Sequence, residues 1–112
     1  MSAGGAQAED RALQFLLSQG LRLKQRNYHC RMGEIDLILV DGNSLVFVEV
    51  RMRSSRAFGG AAESITARKQ ARIIAAARHY LARQTVTPAC RFDAVLIDAN
   101  DAMQWVKDAF GE

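Results

Sequence analysis

Cysteine and long apolar runs are scarce in this sequence, and each absence removes a class of protein. The two cysteines, Cys30 and Cys90, lie far apart, so a disulfide bond is not expected in a reducing compartment. Their spacing from His29 and His79 matches no zinc motif. No apolar run approaches the roughly 20 residues that span a bilayer, and no signal peptide follows Met1. We therefore expect a cytoplasmic protein that does not associate with membranes.

The motifs of several common enzyme classes are also missing. There is no Walker loop, no Gly-rich dinucleotide fingerprint and no nucleophile elbow around any serine. The 112 residues, 49% of them hydrophobic, can bury one core but leave no room for two domains. Any chemistry must therefore be sought among the charged residues of a single small domain.

The segment from residue 33 to 53 is typical of a β-hairpin. Two runs rich in β-branched residues, 35–40 and 45–50, flank the sequence Asp41-Gly42-Asn43-Ser44, which has strong turn chemistry. With Gly42 and Asn43 at the centre of the turn, every apolar residue of one strand faces an apolar residue of the other. The predicted pairs are Val40 with Leu45, Leu39 with Val46, Ile38 with Phe47, Leu37 with Val48 and Ile35 with Val50.

This register sets Asp36 opposite Glu49 and Glu34 opposite Arg51, with about 5 Å between the Cβ atoms of facing residues. Two facing carboxylates repel each other unless they share a proton, pair with Arg or Lys, or bind a divalent cation. A metal or catalytic site is favoured, because charged groups seldom lie within an apolar hairpin without a function. The alternative is a salt-bridge cluster in which Arg51 or Arg53 neutralises the two acids.

Three motifs carry a resemblance to a known family: Gly33-Glu34-Ile35-Asp36, the run from Val46 to Arg51 with Arg53, and Lys69-Gln70. Through them the chain resembles the YraN-like family of small bacterial predicted endonucleases. That family is similar to archaeal Holliday junction resolvases and belongs to the PD-(D/E)xK nuclease superfamily. The resemblance extends over nearly the whole chain. It implies one nuclease-like domain over residues 1–112, with a restriction-endonuclease-like core.

The resemblance also implies roles for individual residues. Asp36 matches the metal-binding Asp of the superfamily, Glu49 the first residue of its Glu-x-Lys element, and Glu9 the helical acid of many members. Asp36 and Glu49 would bind Mg²⁺ or Mn²⁺, with the carbonyl of Val50 as a third ligand. Glu34 and Glu9 would act in the outer shell. The alternative for Glu9 is a position in the first turns of the helix, where it complements the helix dipole.

The Lys position of the Glu-x-Lys element is occupied by Arg51. A lysine there can lie beside the attacking water and take part in proton transfer. An arginine stays protonated and can only orient water or stabilise charge. The expected role of Arg51 is therefore to stabilise the negative charge that builds on the phosphate.

Positive charge is concentrated around these acids. The net charge is +3, but residues 20–91 contain 13 Lys and Arg against 5 Asp and Glu, a net charge of +8. Twelve of the 15 basic residues are Arg, which suits bidentate contact with phosphate. An ordinary solvated face is the alternative. We expect nucleic acid, DNA before RNA, as the partner, bound through Arg53, Arg56, Arg68, Lys69, Gln70 and Arg72.

The hydrophobic pattern predicts the order α-β-β-β-α-β, an α/β fold with a mixed sheet flanked by helices. A helix over 5–19 ends at Gly20, and an edge strand follows over 21–28. After the hairpin, residues 53–62 are expected to form a mobile basic loop. A second helix runs from an N-cap at Thr66 to about residue 84 and buries Ile73, Ala76, Ala77 and Tyr80. A strand over 92–97 and a short strand or turn over 103–110 complete the chain.

The sequence therefore predicts a metal-dependent endonuclease that hydrolyses phosphodiester bonds in structured or branched nucleic acid. A junction-cutting enzyme needs two active sites, so a homodimer is expected. Two alternatives stay open. One is a non-catalytic nucleic-acid-binding module that retains the nuclease fold, and the other is an adaptor that binds proteins through that fold.

Overall fold

The computed structural model describes residues 3–52 and 65–111, in which five strands form one sheet and a helix packs on each face. The predicted α/β class and element order are confirmed, and the tail predicted as a strand or turn is a full strand. The predicted loop over 53–62 lies outside the described residues. The elements are α1 (Ala3–Ser18), β1 (Arg22–Cys30), β2 (Gly33–Asp41), β3 (Ser44–Met52), α2 (Ala67–Leu81), β4 (Ala89–Ile97) and β5 (Met103–Phe110).

The strands lie side by side in their order along the chain. Neighbouring strands are antiparallel, except that β3 and β4 are parallel. A parallel pair needs a crossover connection, and α2 is the helix of that crossover. Strand β1 is an edge of the sheet, as predicted. This mixed sheet between two helices is consistent with a restriction-endonuclease-like core.

The hairpin turn lies where the turn chemistry predicts it. Asp41 pairs with Ser44, and Gly42 has a φ of 61°, a left-handed conformation that glycine adopts readily. The paired positions then run through the predicted register to Leu37 and Val48. Turn residues and matched apolar residues together determined this part of the hairpin.

Two separate cores lie on the two faces of the sheet. Helix α1 packs Ala8, Ala12 and Leu16 against one face, and α2 packs Ile73 and Tyr80 against the other. Both sets of residues are buried. The hairpin strands β2 and β3 contribute to both cores, so they are covered on both faces, and Glu49 of β3 is buried between its apolar neighbours.

The ends of both helices follow local rules. Gly20, with a φ of 95°, follows the last turn of α1, in the left-handed conformation common just beyond helix ends. The Thr66 side chain accepts a hydrogen bond from the Lys69 backbone N–H at 3.1 Å and caps α2, as predicted. Ile73, Ala76, Ala77 and Tyr80 are all buried. Helix α2 ends at Leu81, three residues earlier than predicted.

No helix within the described ranges is both long enough and apolar enough to cross a membrane.

Candidate functional site

The alternation of side chains along β2 breaks at Asp36. In a regular strand, residues two apart lie on the same face of the sheet. Ile35 nevertheless belongs to the core on the α2 face, whereas Leu37 belongs to the core on the α1 face. The strand is therefore irregular at the position between them. The predicted pairing of Ile35 with Val50 on one face is wrong, because Ile35 packs with Tyr28 on the α2 face and Val50 packs in the α1-side core.

This irregularity places the Asp36 carboxylate between two strands. Its Oδ2 atom accepts a hydrogen bond of 2.9 Å from the backbone N–H of Val50. A side chain bonded to the backbone of the neighbouring strand lies close to the plane of the sheet, where acids from both faces can reach it. Asp36 and Glu49 do meet, as predicted, but as a hydrogen-bonded side-chain pair beyond the regular ladder of backbone pairs.

Glu49 is the most deeply placed acid of the hairpin, with only 4% of its surface exposed. Burial raises its pKa to about 8, and the hydrogen bond and negative charge of Asp36 add to that effect. The positive charges of Lys69 and Arg51 act in the opposite direction. The carboxyl group therefore retains its proton near neutral pH unless a further cation compensates its charge.

Glu9 reaches the same place from helix α1. It is 4% exposed, and burial, followed by the charge of Asp36, raises its pKa. Its Oε1 atom has no hydrogen-bond partner in the described part of the chain and lies 3.9 Å from the Arg26 guanidinium. Glu9 is the seventh residue of α1 and lies in its second turn, so the alternative that it complements the helix dipole stays a prediction.

Lys69 supplies a cation to this cluster of three acids. Its ammonium lies 3.5 Å from the Glu49 Oε2 atom, although Lys69 belongs to α2 and Glu49 to β3. Arg51 occupies the sequence position of the motif lysine but is exposed at the end of β3. The sequence analysis treated Lys69 only as a substrate contact and missed this ion pair. The N-cap signal at Thr66 fixed the start of the helix but could not show which strand residue Lys69 reaches.

Glu34 lies apart from the predicted partner Arg51. It pairs with His29 of β1 in the strand register, and its carboxylate lies 3.1 Å from the imidazole Nδ1 atom. Both side chains are about half exposed or more. The prediction that Glu34 faces Arg51 is therefore corrected, because the regular pairing of β2 with β3 ends at Leu37 and Val48. No sequence signal singled out His29 for this role.

Arg26, for which the sequence predicted no individual role, ties α1 to β1. Its guanidinium forms a 2.7 Å ion pair with Asp10 and lies near Glu9. The arginine lowers the pKa of Glu9, partly opposing burial. Arg26 is thus placed to hold the Glu9 side chain near Asp36.

The predicted nucleic-acid contacts divide into four groups. Arg68 and Arg72 are exposed on α2 and available to a ligand. Gln70 is partly engaged, because its side-chain amide donates to the Ile65 carbonyl at 2.9 Å. Lys69 bridges the surface and the acids. Arg53 and Arg56 lie outside the described residues.

A buried acid elsewhere shows what a purely structural carboxylate looks like in this fold. Asp93 of β4 is fully buried and accepts hydrogen bonds from Arg91, the Trp105 indole and the Asp108 backbone N–H. Every donor is within 3.2 Å. Among residues 3–52 and 65–111, Glu9 and Glu49 each have a side-chain hydrogen bond with Asp36 but no such set of donors, so their burial is not explained by structural hydrogen bonding in the same way.

The donor chemistry of the cluster fits a divalent cation. Within 3–52 and 65–111, no three His, Cys, Asp or Glu side chains form a ready-made metal cage. The fit therefore rests on Asp36 and Glu49, which are adjacent hard oxygen donors, and on the unbonded oxygen of Glu9. A cation between these carboxylates would remove the repulsion that otherwise keeps protons on them. The contribution of the Val50 carbonyl stays a prediction, and the backbone N–H of the same residue donates to Asp36.

Comparison with known proteins identifies the family. The chain is 55% identical to a UPF0102 protein of Nitrosomonas eutropha over 108 residues, covering 96% of this chain and 93% of the relative. It is 56% identical to a UPF0102 protein of Nitrosomonas europaea, covering 99% and 98% of the two chains. A UPF0102 protein of Cupriavidus taiwanensis is 56% identical, with 96% and 82% covered. Residues 8–97 match the uncharacterised protein family UPF0102, to which this chain belongs.

Proposed function

We propose that this protein is a metal-dependent endonuclease that hydrolyses phosphodiester bonds in nucleic acid, DNA before RNA. The observation that carries the proposal is the convergence of three acids, Glu9, Asp36 and Glu49, where β2 becomes irregular beside β3. In a structural salt-bridge cluster, each buried oxygen has a hydrogen-bond or ion-pair partner. A site that binds a cation instead keeps an oxygen free to bind that cation. The basic residues of α2 beside the acids would hold a polyanion.

Asp36 and Glu49 would hold Mg²⁺ or Mn²⁺, and Glu9 would bind from the α1 face. When bound, such an ion supplies a Lewis acid for a phosphate oxygen and lowers the pKa of bound water. The protein contributes rigidity, because the Val50 N–H fixes the Asp36 carboxylate and Arg26 restrains Glu9. Fixed ligands lower the cost of reorganisation during the reaction.

Lys69 would perform the task that the motif assigns to a lysine on β3. Its ammonium, 3.5 Å from Glu49, can orient a water molecule and balance charge on the phosphate, and unlike a guanidinium it can transfer a proton. Arg51, exposed at the rim, would bind a phosphate oxygen from outside. The arginine at the motif position is then compatible with catalysis.

The substrate class proposed is structured or branched nucleic acid. The exposed Arg68 and Arg72 side chains would contact the backbone and position the strand without reading its bases. Cutting a four-way junction requires two such sites at a fixed spacing, so a homodimer is part of the proposal.

The test is cleavage of labelled single-stranded, duplex, flap and four-way DNA, and of matched RNA, with Mn²⁺ or Mg²⁺. Asp36→Asn should lower the single-turnover rate at least about a hundredfold. Asp41→Asn is the matched control, since Asp41 lies at the other end of β2 and pairs with Arg91. Absence of cleavage of every substrate by the wild-type protein would refute the catalytic proposal.

A non-catalytic nucleic-acid-binding module remains the second candidate. Two observations favour it: a cation lies near Glu49 and another near Glu9, as in a salt-bridge network. In that case, nucleic acid should bind with an affinity that falls as salt rises, while the metal-free Asp36→Asn variant should lose much stability. Under the nuclease proposal, the same variant should be at least as stable as the parent, because carboxylate repulsion is relieved.

A further inference from the structure

A cavity of about 290 Å³ opens beside the acid cluster. Its walls come from the end of β1, the start of β2 and the first two turns of α2, and include His29, Glu34, Lys69 and Arg72. Lys69 belongs both to this cavity and to the acid cluster, because its ammonium contacts Glu49. A ligand in the cavity would therefore lie next to whatever binds at the carboxylates.

The cavity is positively charged. Lys69 and Arg72 each contribute one positive charge, and Glu34 contributes one negative charge. The Glu34 carboxylate is already engaged by the His29 imidazole at 3.1 Å. With a neutral imidazole the four groups sum to one positive charge, and with a protonated one to two. Both states attract an anion.

The wall of the cavity is built before any ligand arrives. A Cβ atom at Gly33 would lie 3.0 Å from the backbone carbonyl oxygen of Arg72, so β2 and α2 approach each other closely enough that a side chain at this position would require one of them to shift by a few tenths of an ångström. Close backbone packing fixes the distance between the strand that carries Glu34 and the helix that carries Lys69 and Arg72. A preformed site binds without paying for its own ordering.

We propose that this cavity binds a second phosphate group of the nucleic-acid strand, adjacent along the strand to the phosphate held at Asp36 and Glu49. The identity of the ligand rests on the proposed function. Arg72 would form charge-assisted hydrogen bonds to this second phosphate, and Lys69 would lie between the two phosphates. The cavity thereby sets the register of the strand over the carboxylates.

The first experiment titrates metal-free protein with inorganic phosphate and follows backbone and side-chain NMR signals. Signals of His29, Gly33 and Arg72 should shift together. Arg72→Ala should weaken phosphate binding roughly tenfold, the effect of one lost charged hydrogen bond. Arg83→Ala removes the same charge beyond the other end of α2 and should leave binding unchanged. Equal weakening by both variants, or shifts elsewhere only, would overturn the proposal.

The second experiment uses trithymidylate, whose two phosphates are adjacent, with Ca²⁺ present. Replacing one or the other phosphate with a neutral methylphosphonate should weaken binding to the wild-type protein. In Arg72→Ala, at least one of the two methylphosphonate replacements should cause little further loss of affinity for trithymidylate. In Arg83→Ala, both replacements should weaken binding as they do in the parent. Phosphate that binds without competing with trithymidylate would show a site for a free anion and overturn the strand subsite.

These outcomes separate the two proposals. Neither experiment requires cleavage. If phosphate binds at the cavity but the protein cleaves no substrate, only the proposed nuclease activity is refuted. If the protein cleaves nucleic acid but its cavity does not bind phosphate, only the proposed phosphate site in the cavity is refuted.

Discussion

The Lys69 ammonium and the Glu49 carboxylate, 3.5 Å apart, join helix α2 to the buried end of the hairpin. Arg51 lies two residues from Glu49 in the sequence, yet it lowers the pKa of Glu49 less than Lys69 does. The cation with the larger effect on the pKa of Glu49 is therefore not the one nearer in the sequence. Under the proposed function, the positive charge expected from Arg51 on β3 comes instead from Lys69 on α2.

Replacing Lys69 should therefore impair catalysis more than replacing Arg51. Lys69→Ala removes the ammonium beside Glu49 and should lower the single-turnover rate about a hundredfold, within the range for a positioned proton-transfer or charge-stabilising group. Arg51→Ala should cost about tenfold or less, and Arg51→Lys should keep or raise activity. If Arg51→Ala lowers the single-turnover rate more than Lys69→Ala does, the main catalytic cation is Arg51 on β3 and the proposed role of Lys69 is wrong.

The stability of the metal-free protein should fall as pH rises from about 4.5 to about 8. Over this window the folded protein keeps the Glu49 proton, held at a pKa of about 8 rather than 4.5, while the unfolded chain has lost it. The folded state then binds more protons, so raising the pH favours unfolding. The penalty is absent below the unfolded pKa and complete above the folded one.

Glu49→Gln tests this directly, because glutamine cannot ionise. Above pH 8 the variant should be the more stable protein, by at most about 5 kcal/mol at about 1.36 kcal/mol per pKa unit. Near pH 4.5 the two should unfold at similar urea concentrations in EDTA. The pKa of Glu9 is also raised, so the free energy of unfolding of the variant should still fall with pH, although less steeply than that of the parent. A variant with the slope of the parent would contradict the assignment to Glu49.

The sequence predicted those parts of the fold that local chemistry determines. The Asp41 to Ser44 turn and the register as far as Leu37 and Val48 were predictable, since turn residues and apolar pairing agree. The start of α2 at Thr66 was predictable from its capping side chain. In each case the residues that decide the structure are neighbours in the chain or directly face each other.

The irregularity at Asp36 could not be predicted in this way. Ile35 packs with Tyr28 and Ile73 on the α2 face, and those contacts come from two other elements. The ion pair of Lys69 with Glu49 likewise depends on how α2 docks on the sheet. The sequence thus predicted that Asp36 and Glu49 meet, but it predicted a regular strand pair where the structure has an irregular strand.

Mn²⁺ binding should release protons. Because burial and Asp36 keep a proton on Glu49 near neutral pH, a metal ion must displace it, so affinity should rise with pH until about pH 8. Calorimetry in two buffers of different ionisation enthalpy measures the number of protons released. Asp36→Asn and Glu49→Gln should weaken binding, and Asp41→Asn should not. Unchanged binding in both site variants would eliminate the metal site.

Arg26 should influence metal binding through Glu9, although it lies outside the acid cluster itself. Its guanidinium, 3.9 Å from Glu9, lowers the pKa of that acid. Arg26→Met keeps much of the apolar stem but removes the charge. Glu9 should then hold its proton more tightly, and Mn²⁺ should displace that proton less readily.

Affinity for Mn²⁺ should accordingly fall in Arg26→Met at pH values where Glu9 is partly protonated and recover as the pH is raised, because deprotonation restores Glu9 as a ligand. Arg26→Lys should retain most of the affinity. Arg22→Met is the matched control, since Arg22 is exposed at the other end of β1. If Glu9 only packs α1 against the sheet, Arg26→Met will leave Mn²⁺ affinity unchanged at every pH, and Glu9 then has no part in the metal site.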